Sequence, residues 1–206
     1  MKILAFSDVS VLESPVEKLQ PIILEEKIDA VLLMGGLFSN NTTKKQQKDI
    51  EVIKKRKSKN QQTTSIPELN WLLIPILVIP DIEDLKMNKL IKQVQGQETV
   101  WVRFLHDKGT ILDNWFIFSI TESPEADYES LLKNIEEYAK LAPENSILLY
   151  SGEKRLNFPL VNAIILSNKS KKPDLETFIV SVDSIKEGIV TIIDLDKKTV
   201  NSLVIE

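Results

Sequence analysis

No cysteine occurs in the 206 residues, which excludes disulfides, thiolate metal sites and a cysteine nucleophile. Histidine is almost as scarce: His106 stands alone, so no Ser-His-Asp arrangement can be assembled around a choice of imidazoles. Only six glycines occur. The pair Gly35-Gly36 is not a phosphate loop, because no Lys-Ser/Thr follows at the required spacing, and it reads as a tight strand-to-loop turn. No apolar run approaches the ~20 residues of a membrane span. The longest, Trp71 to Pro80, is broken by Pro75 and reads as a helix end feeding a buried strand. The first residues reach Asp8 too soon for a signal peptide, so a cytoplasmic protein without a membrane partner is expected.

What is present is ordinary for a folded chain: 43% hydrophobic and 27% charged residues, enough for a single domain over 1–206. Few glycines, many Ile and Lys and no Cys also suit a thermophile. The net charge of -4 conceals an asymmetry. Lys44, Lys45, Lys48, Lys54, Lys55, Arg56, Lys57 and Lys59 face only Asp49 and Glu51 in residues 44–59. A basic helix over about 42–62 is either a solvated face, the commoner case, or a surface for nucleic acid or an acidic partner. It lacks interleaved aromatics, so stacking on single-stranded bases is not indicated.

Hydrophobic patterning predicts a buried strand over 2–7 and a helix opened by Ser14-Pro15-Val16-Glu17, with Leu19, Ile22, Ile23 and Leu24 on its apolar face. A second buried strand over 29–34 ends in Gly35-Gly36, and a third spans 76–79 after a helical stretch from Pro67. Two strand-helix-strand units imply a parallel sheet with helices on its faces. A helix is expected over 83–95 and a strand over 100–105. Asp113-Asn114 then joins strands 110–112 and 115–120 as a hairpin. An amphipathic helix over 128–141 precedes strands at 147–150, 161–166, 177–182, 189–195 and 199–205, the last two joined at Asp196-Lys197-Lys198. Trp71, Trp115 and Trp101 are expected in the core, Trp101 the most exposed of the three.

The order of these segments resembles the calcineurin-like metallophosphoesterases along nearly the whole chain. That family's first strand ends Ser-Asp-x-His, where this chain has Ser7-Asp8-Val9-Ser10. Its second ends Gly-Asp, here Gly35-Gly36. Its third reads Val-Pro-Gly-Asn-His-Asp, here Ile79-Pro80-Asp81-Ile82-Glu83-Asp84. Leu105-His106-Asp107-Lys108 before the hairpin matches a Leu-His-x-Lys motif of small members. Softer alignments place the Thr-His strand end at Tyr150-Ser151 and the Gly-His-x-His site at Ser167-Asn168-Lys169-Ser170. The resemblance implies an α/β fold: a four-layer metallophosphoesterase-like sandwich of two mixed β-sheets flanked by helices.

The family uses two divalent metals such as Mn or Fe/Zn, which lower the pKa of a bound water and clamp phosphoryl oxygens. By resemblance the ligands fall at Asp8, Ser10, Gly36, Ile82, Ser151, Asn168 and Ser170, and Glu83 replaces the histidine that protonates the leaving group. Only Asp8 is an ordinary ligand there, so neither cofactor nor catalytic residue is expected and the chain reads as a degenerate member. His106 falls on a structural position of the family, so a packed or surface histidine is expected. Asp8, Asp81, Glu83 and Asp84 could still gather at the strand ends and hold one hard cation such as Mg²⁺ or Ca²⁺. The preferred alternative is that Asp8 caps a turn and Glu83-Asp84 opens a helix.

These readings favour a catalytically inactive scaffold that binds a protein partner or further copies of itself. The retromer subunit with this fold and the inactive small subunits of replicative DNA polymerases are precedents by resemblance. The alternatives are a residual one-metal phosphoesterase or nuclease, and a non-catalytic nucleic-acid-binding module using the basic helix.

Overall fold

Five uninterrupted apolar residues build β2 (Ala30–Met34) and four build β3 (Ile76–Ile79), the composition of strands buried on both faces. They lie in a six-stranded sheet with β1 (Lys2–Phe6), β4 (Val102–Phe104), β10 (Ile189–Asp194) and β11 (Thr199–Val204), in the order β11-β10-β1-β2-β3-β4. The computed structural model describes residues 1–11, 14–38, 66–87, 91–92, 95–96, 98–122, 127, 129, 132–133, 136–137, 140, 145–152, 161–167, 170 and 177–205. Strands β1 to β4 run parallel, while β10 and β11 are antiparallel additions. A second sheet has the order β5-β6-β7-β8-β9, from β5 (Gly109–Leu112), β6 (Trp115–Thr121), β7 (Ser146–Ser151), β8 (Ala163–Leu166) and β9 (Phe178–Ser181). Only β5–β6 is antiparallel there, so both sheets are mixed.

The sheets stack through alternate side chains: Ile3, Ala5, Leu32, Met34 and Leu77 of the first meet Ile117, Ile147, Leu149 and Ile165 of the second. The opposite face of the first sheet (Leu4, Phe6, Val31, Leu33, Val78) is covered by Leu19 and Ile23 of α1 (Pro15–Glu26). The outer face of the second (Phe118, Ile120, Leu148, Tyr150) packs with Leu132, which lies in a helical stretch. Each fully buried Leu or Ile contributes about 1.5–3 kcal/mol, and this core sets the strand ends that carry the candidate site. The result is the four-layer α/β sandwich expected. No helix among the described residues is long and apolar enough to cross a membrane.

Three local expectations need correction. Ser14 lies in the left-handed region at φ 50 and its side chain caps nothing, because a capping hydroxyl needs an extended backbone to reach the N2 or N3 amide. Leu24 is exposed rather than part of the apolar face of α1. Trp71 is 76% exposed: it lies in the 3-10 turn Asn70–Leu72, where Leu69 and Leu72, three apart, take the inward side. Trp115 is buried, and Trp101, just ahead of β4, is 37% exposed. The hairpin at Asp113-Asn114 and the turn before β11 form as expected. The basic stretch 44–59 lies outside the described residues.

Candidate functional site

The loops after β1 and β2 meet at the carboxyl end of the first sheet. Asp8 N donates to Gly35 O at 3.0 Å and Ser10 N to Gly36 O at 3.1 Å. Asp8, Gly35 and Gly36 all have positive φ (63, 78 and 64), a conformation that Gly adopts freely and Asp tolerates. The approach is close enough that glycine is required at both positions. A Cβ on Gly36 would stand 2.5 Å from both Asp8 Cα and Asp8 Oδ1, and one on Gly35 would stand 2.8 Å from Asp81 Cβ.

Asp8 is buried and its carboxylate is already engaged. Oδ1 receives Lys186 Nζ at 2.7 Å, and Oδ2 receives Ser184 Oγ at 2.5 Å and Ser7 Oγ at 3.4 Å. Lys186 and Ser184 come from the loop between β9 and β10. That loop is pinned beside β1 by Ser7 N donating to Asp183 O and Ile185 N donating to Ser7 O. Neither residue is singled out by the sequence patterns. Nothing local in the sequence links Lys186 to Asp8.

Asp81 and Asp84 do different work. Asp84 N donates to Asp81 Oδ1 at 2.8 Å and Asp81 N to Asp84 Oδ2 at 3.0 Å, a reciprocal capping box on the helical turn Ile82–Leu85. Asp84 Oδ1 also receives Leu37 N at 2.9 Å, which ties the loop after β3 to the loop after β2. Burial, with the neighbouring Asp81 charge in second place, raises the Asp84 pKa from 3.8 to about 7, against hydrogen bonds from the Asp81, Leu37 and Phe38 amides. Glu83 points outward and pairs with Lys86 at 2.6 Å. The four carboxylates Asp8, Asp81, Glu83 and Asp84 therefore do not surround one point. Among the described residues, no three His, Asp or Glu side chains gather in a metal-holding group.

The second sheet supplies the remaining expected positions. Thr121 Oγ1 donates to Pro80 O at 3.1 Å, which joins the end of β6 to the end of β3. Ser151, the last residue of β7, is fully buried, with no hydrogen-bond partner for its hydroxyl among the described residues. Ser170 receives Gly152 N at 3.3 Å and shares a 2.9 Å hydrogen bond with Ser167, knitting the β7 and β8 ends together. Asn168 lies outside the described residues. His106 is half-buried, with Nδ1 enclosed and 3.9 Å from Asp107 Oδ2.

Among the described residues, the donors at these positions do not fit two divalent ions, the cofactor implied by the resemblance. Of the seven positions, Gly36 and Ile82 offer no side-chain donor. The carboxylate of Asp8 already holds the Lys186 ammonium, and there is no room beside it for a longer residue at 36.

No family model matches the chain, and no curated protein sequence does. Solved structures match over its whole length at low identity. The protein TT1561 of Thermus thermophilus superposes with a TM-score of 0.68 and 16% identity, covering 98% of each chain. An archaeal protein described as a novel phosphodiesterase gives a TM-score of 0.54 and 16% identity over 99% of each. At this identity the likeness establishes the phosphoesterase-like fold.

Proposed function

We propose that this chain is a catalytically inactive protein of the metallophosphoesterase-like fold that serves as a binding scaffold in a protein complex. The reading rests on one observation above all: Lys186 Nζ stands 2.7 Å from Asp8 Oδ1, so the only ordinary ligand at the expected positions is neutralised from within the chain. A covalently attached ammonium supplies charge balance but has no vacant orbital with which to polarise a phosphoryl oxygen or acidify water. Glu83, which stands where the resembled family has its general acid, is turned outward onto Lys86. The complete lack of cysteine is in keeping with a reducing, cytoplasmic setting.

The test is a Mn²⁺ titration by calorimetry with hydrolysis of bis-p-nitrophenyl phosphate followed in parallel. Silence in both is expected. Micromolar binding together with turnover that disappears in Asp8→Ala would overturn the proposal in favour of a one-metal phosphoesterase.

A further inference from the structure

The first sheet ends in two very different edges. At one, β4 is only three residues long, and Arg103 Nη1 reaches across to Thr110 Oγ1 at 2.7 Å and Ile111 O at 3.1 Å, closing the gap to the second sheet. At the other, β11 runs Thr-Val-Asn-Ser-Leu-Val without a charge, proline or glycine, and among the described residues nothing pairs with its outer side. Edges of that kind template pairing with another chain unless they are blocked by charge, proline or a bulge. None of these devices is present within β11.

We infer that β11 is a homodimer interface, in which two copies pair antiparallel about a two-fold axis at Ser202 to form one continuous sheet. The phase of the hydrogen bonds selects this register. Ile205 N donates to Gly188 O, and β10 and β11 pair as Ile189 with Val204 through Asp194 with Thr199. Bonding alternates along an antiparallel strand, so the odd-numbered residues of β11 bond inward to β10. Val200, Ser202 and Val204 therefore turn their N–H and C=O groups outward. An antiparallel copy centred on Ser202 sets Ser202 against Ser202 and Val200 against Val204, matching every outward group with another.

The side chains agree with that register. Val200 and Val204 share one face of the strand, 41% and 76% exposed, and each would cover the other's counterpart across the two-fold. Ser202, already donating to Asp183 Oδ2 at 3.0 Å, keeps that bond. Charge is complementary at the ends: Lys197 and Lys198 precede β11, and its far end lies beside exposed Glu187 through the Gly188–Ile205 pairing. Antiparallel docking brings the lysine end of each copy to the glutamate end of the other. Other occupants of the edge, such as an extended peptide from a different protein, would not need this internal symmetry.

The interface does not depend on the reading of the Asp8 site, and its test does not involve metal or hydrolysis. Light scattering after gel filtration at about 100 µM, which populates a dimer of micromolar Kd, should give twice the 23.4 kDa chain mass. Val204→Lys and, separately, Ser202→Pro should each run as folded monomers; a proline there removes an outward N–H and the exposed hydroxyl bond to Asp183, and no bond of the β10–β11 ladder. Because the chain has no cysteine, Ser202→Cys carries a single thiol at the axis. There, Cα atoms ~5.5 Å apart suit a disulfide. Mild oxidation should link Ser202→Cys into a dimer, but not Val200→Cys, whose copies would lie over ~13 Å apart. A monomeric wild type, or a dimer unaffected by both variants and by the position of the thiol, would overturn the inference.

Discussion

Replacing Gly36 by alanine places one methyl group where the loops after β1 and β2 touch, and the cost can be worked from the geometry. The new Cβ would lie 2.5 Å from Asp8 Cα, against 3.4 Å for an ordinary contact, and Asp8 Cα is backbone that no rotamer change can move. Separating the loops strains the Asp8–Gly35 and Ser10–Gly36 hydrogen bonds, an overpacking cost of about 1–3 kcal/mol. The left-handed backbone at φ 64 adds about 1–2 kcal/mol for a residue with a Cβ. A loss of about 2–5 kcal/mol corresponds to a melting temperature lower by about 5–15 °C in a domain of this size. Circular dichroism melts of wild type and Gly36→Ala measure it directly. Gly36→Asp, which introduces the acid that the resembled family carries there, should suffer the same overlap and still bind no Mn²⁺ in calorimetry. A Gly36→Ala melt unchanged within about 2 °C, or micromolar Mn²⁺ affinity in Gly36→Asp, would show that the loops separate easily and that the steric argument is wrong.

Two further outcomes follow from the same loops. Asp84 has a folded pKa of about 7 against 3.8, so between these values the folded state holds a proton that the unfolded chain has released. Its contribution is therefore full below pH ~4 and is lost as pH rises towards 7, with a slope of at most ~1.4 kcal/mol per unit. Melting temperatures measured from pH 5 to 8 should fall more steeply in wild type than in Asp84→Asn, and equal slopes would refute the assignment. Lys186→Met removes the ammonium from Asp8, but Lys186 is half exposed, so solvent screening limits the loss to about 1 kcal/mol. Denaturant melts of Asp8→Asn, Lys186→Met and the double variant should reveal a coupling of that order, and strictly additive effects would deny that the pair interacts.

The fold was legible because it is written in local runs. Ala30 to Met34 and Ile76 to Ile79 are apolar throughout, Asp113-Asn114 punctuates a hairpin, and the order of segments carried the resemblance. Local sequence was less informative wherever a side chain's direction decided the matter. Trp71 looked like core because its neighbours Leu72 and Ile74 are apolar, yet a 3-10 turn sends it outward. Ser14 had the composition of a cap without the backbone angle. The resemblance singled out Asp8 in the sequence, but nothing there pointed to Lys186: the two are joined only by the return of the chain from the second sheet to the first. The capping partnership of Asp81 and Asp84 has a visible i,i+3 spacing, and that signal could have separated these two acids from the other carboxylates.

That return also bears on how the protein can be made. β1 is flanked by β2 on one side and by β10 on the other, with Lys2 paired to Asp194, so this inner strand of the first sheet acquires its second neighbour only after residues 189–194 have been made. Contacts so remote in sequence form slowly. Until β10 arrives, the all-apolar Ile3–Phe6 stretch presents an open edge during synthesis, when exposed strand edges favour aggregation. Folding yield should therefore be governed by the arrival of residues 189–194, and a chaperone that shields β1 during that interval would have more influence on it than one acting on either sheet alone.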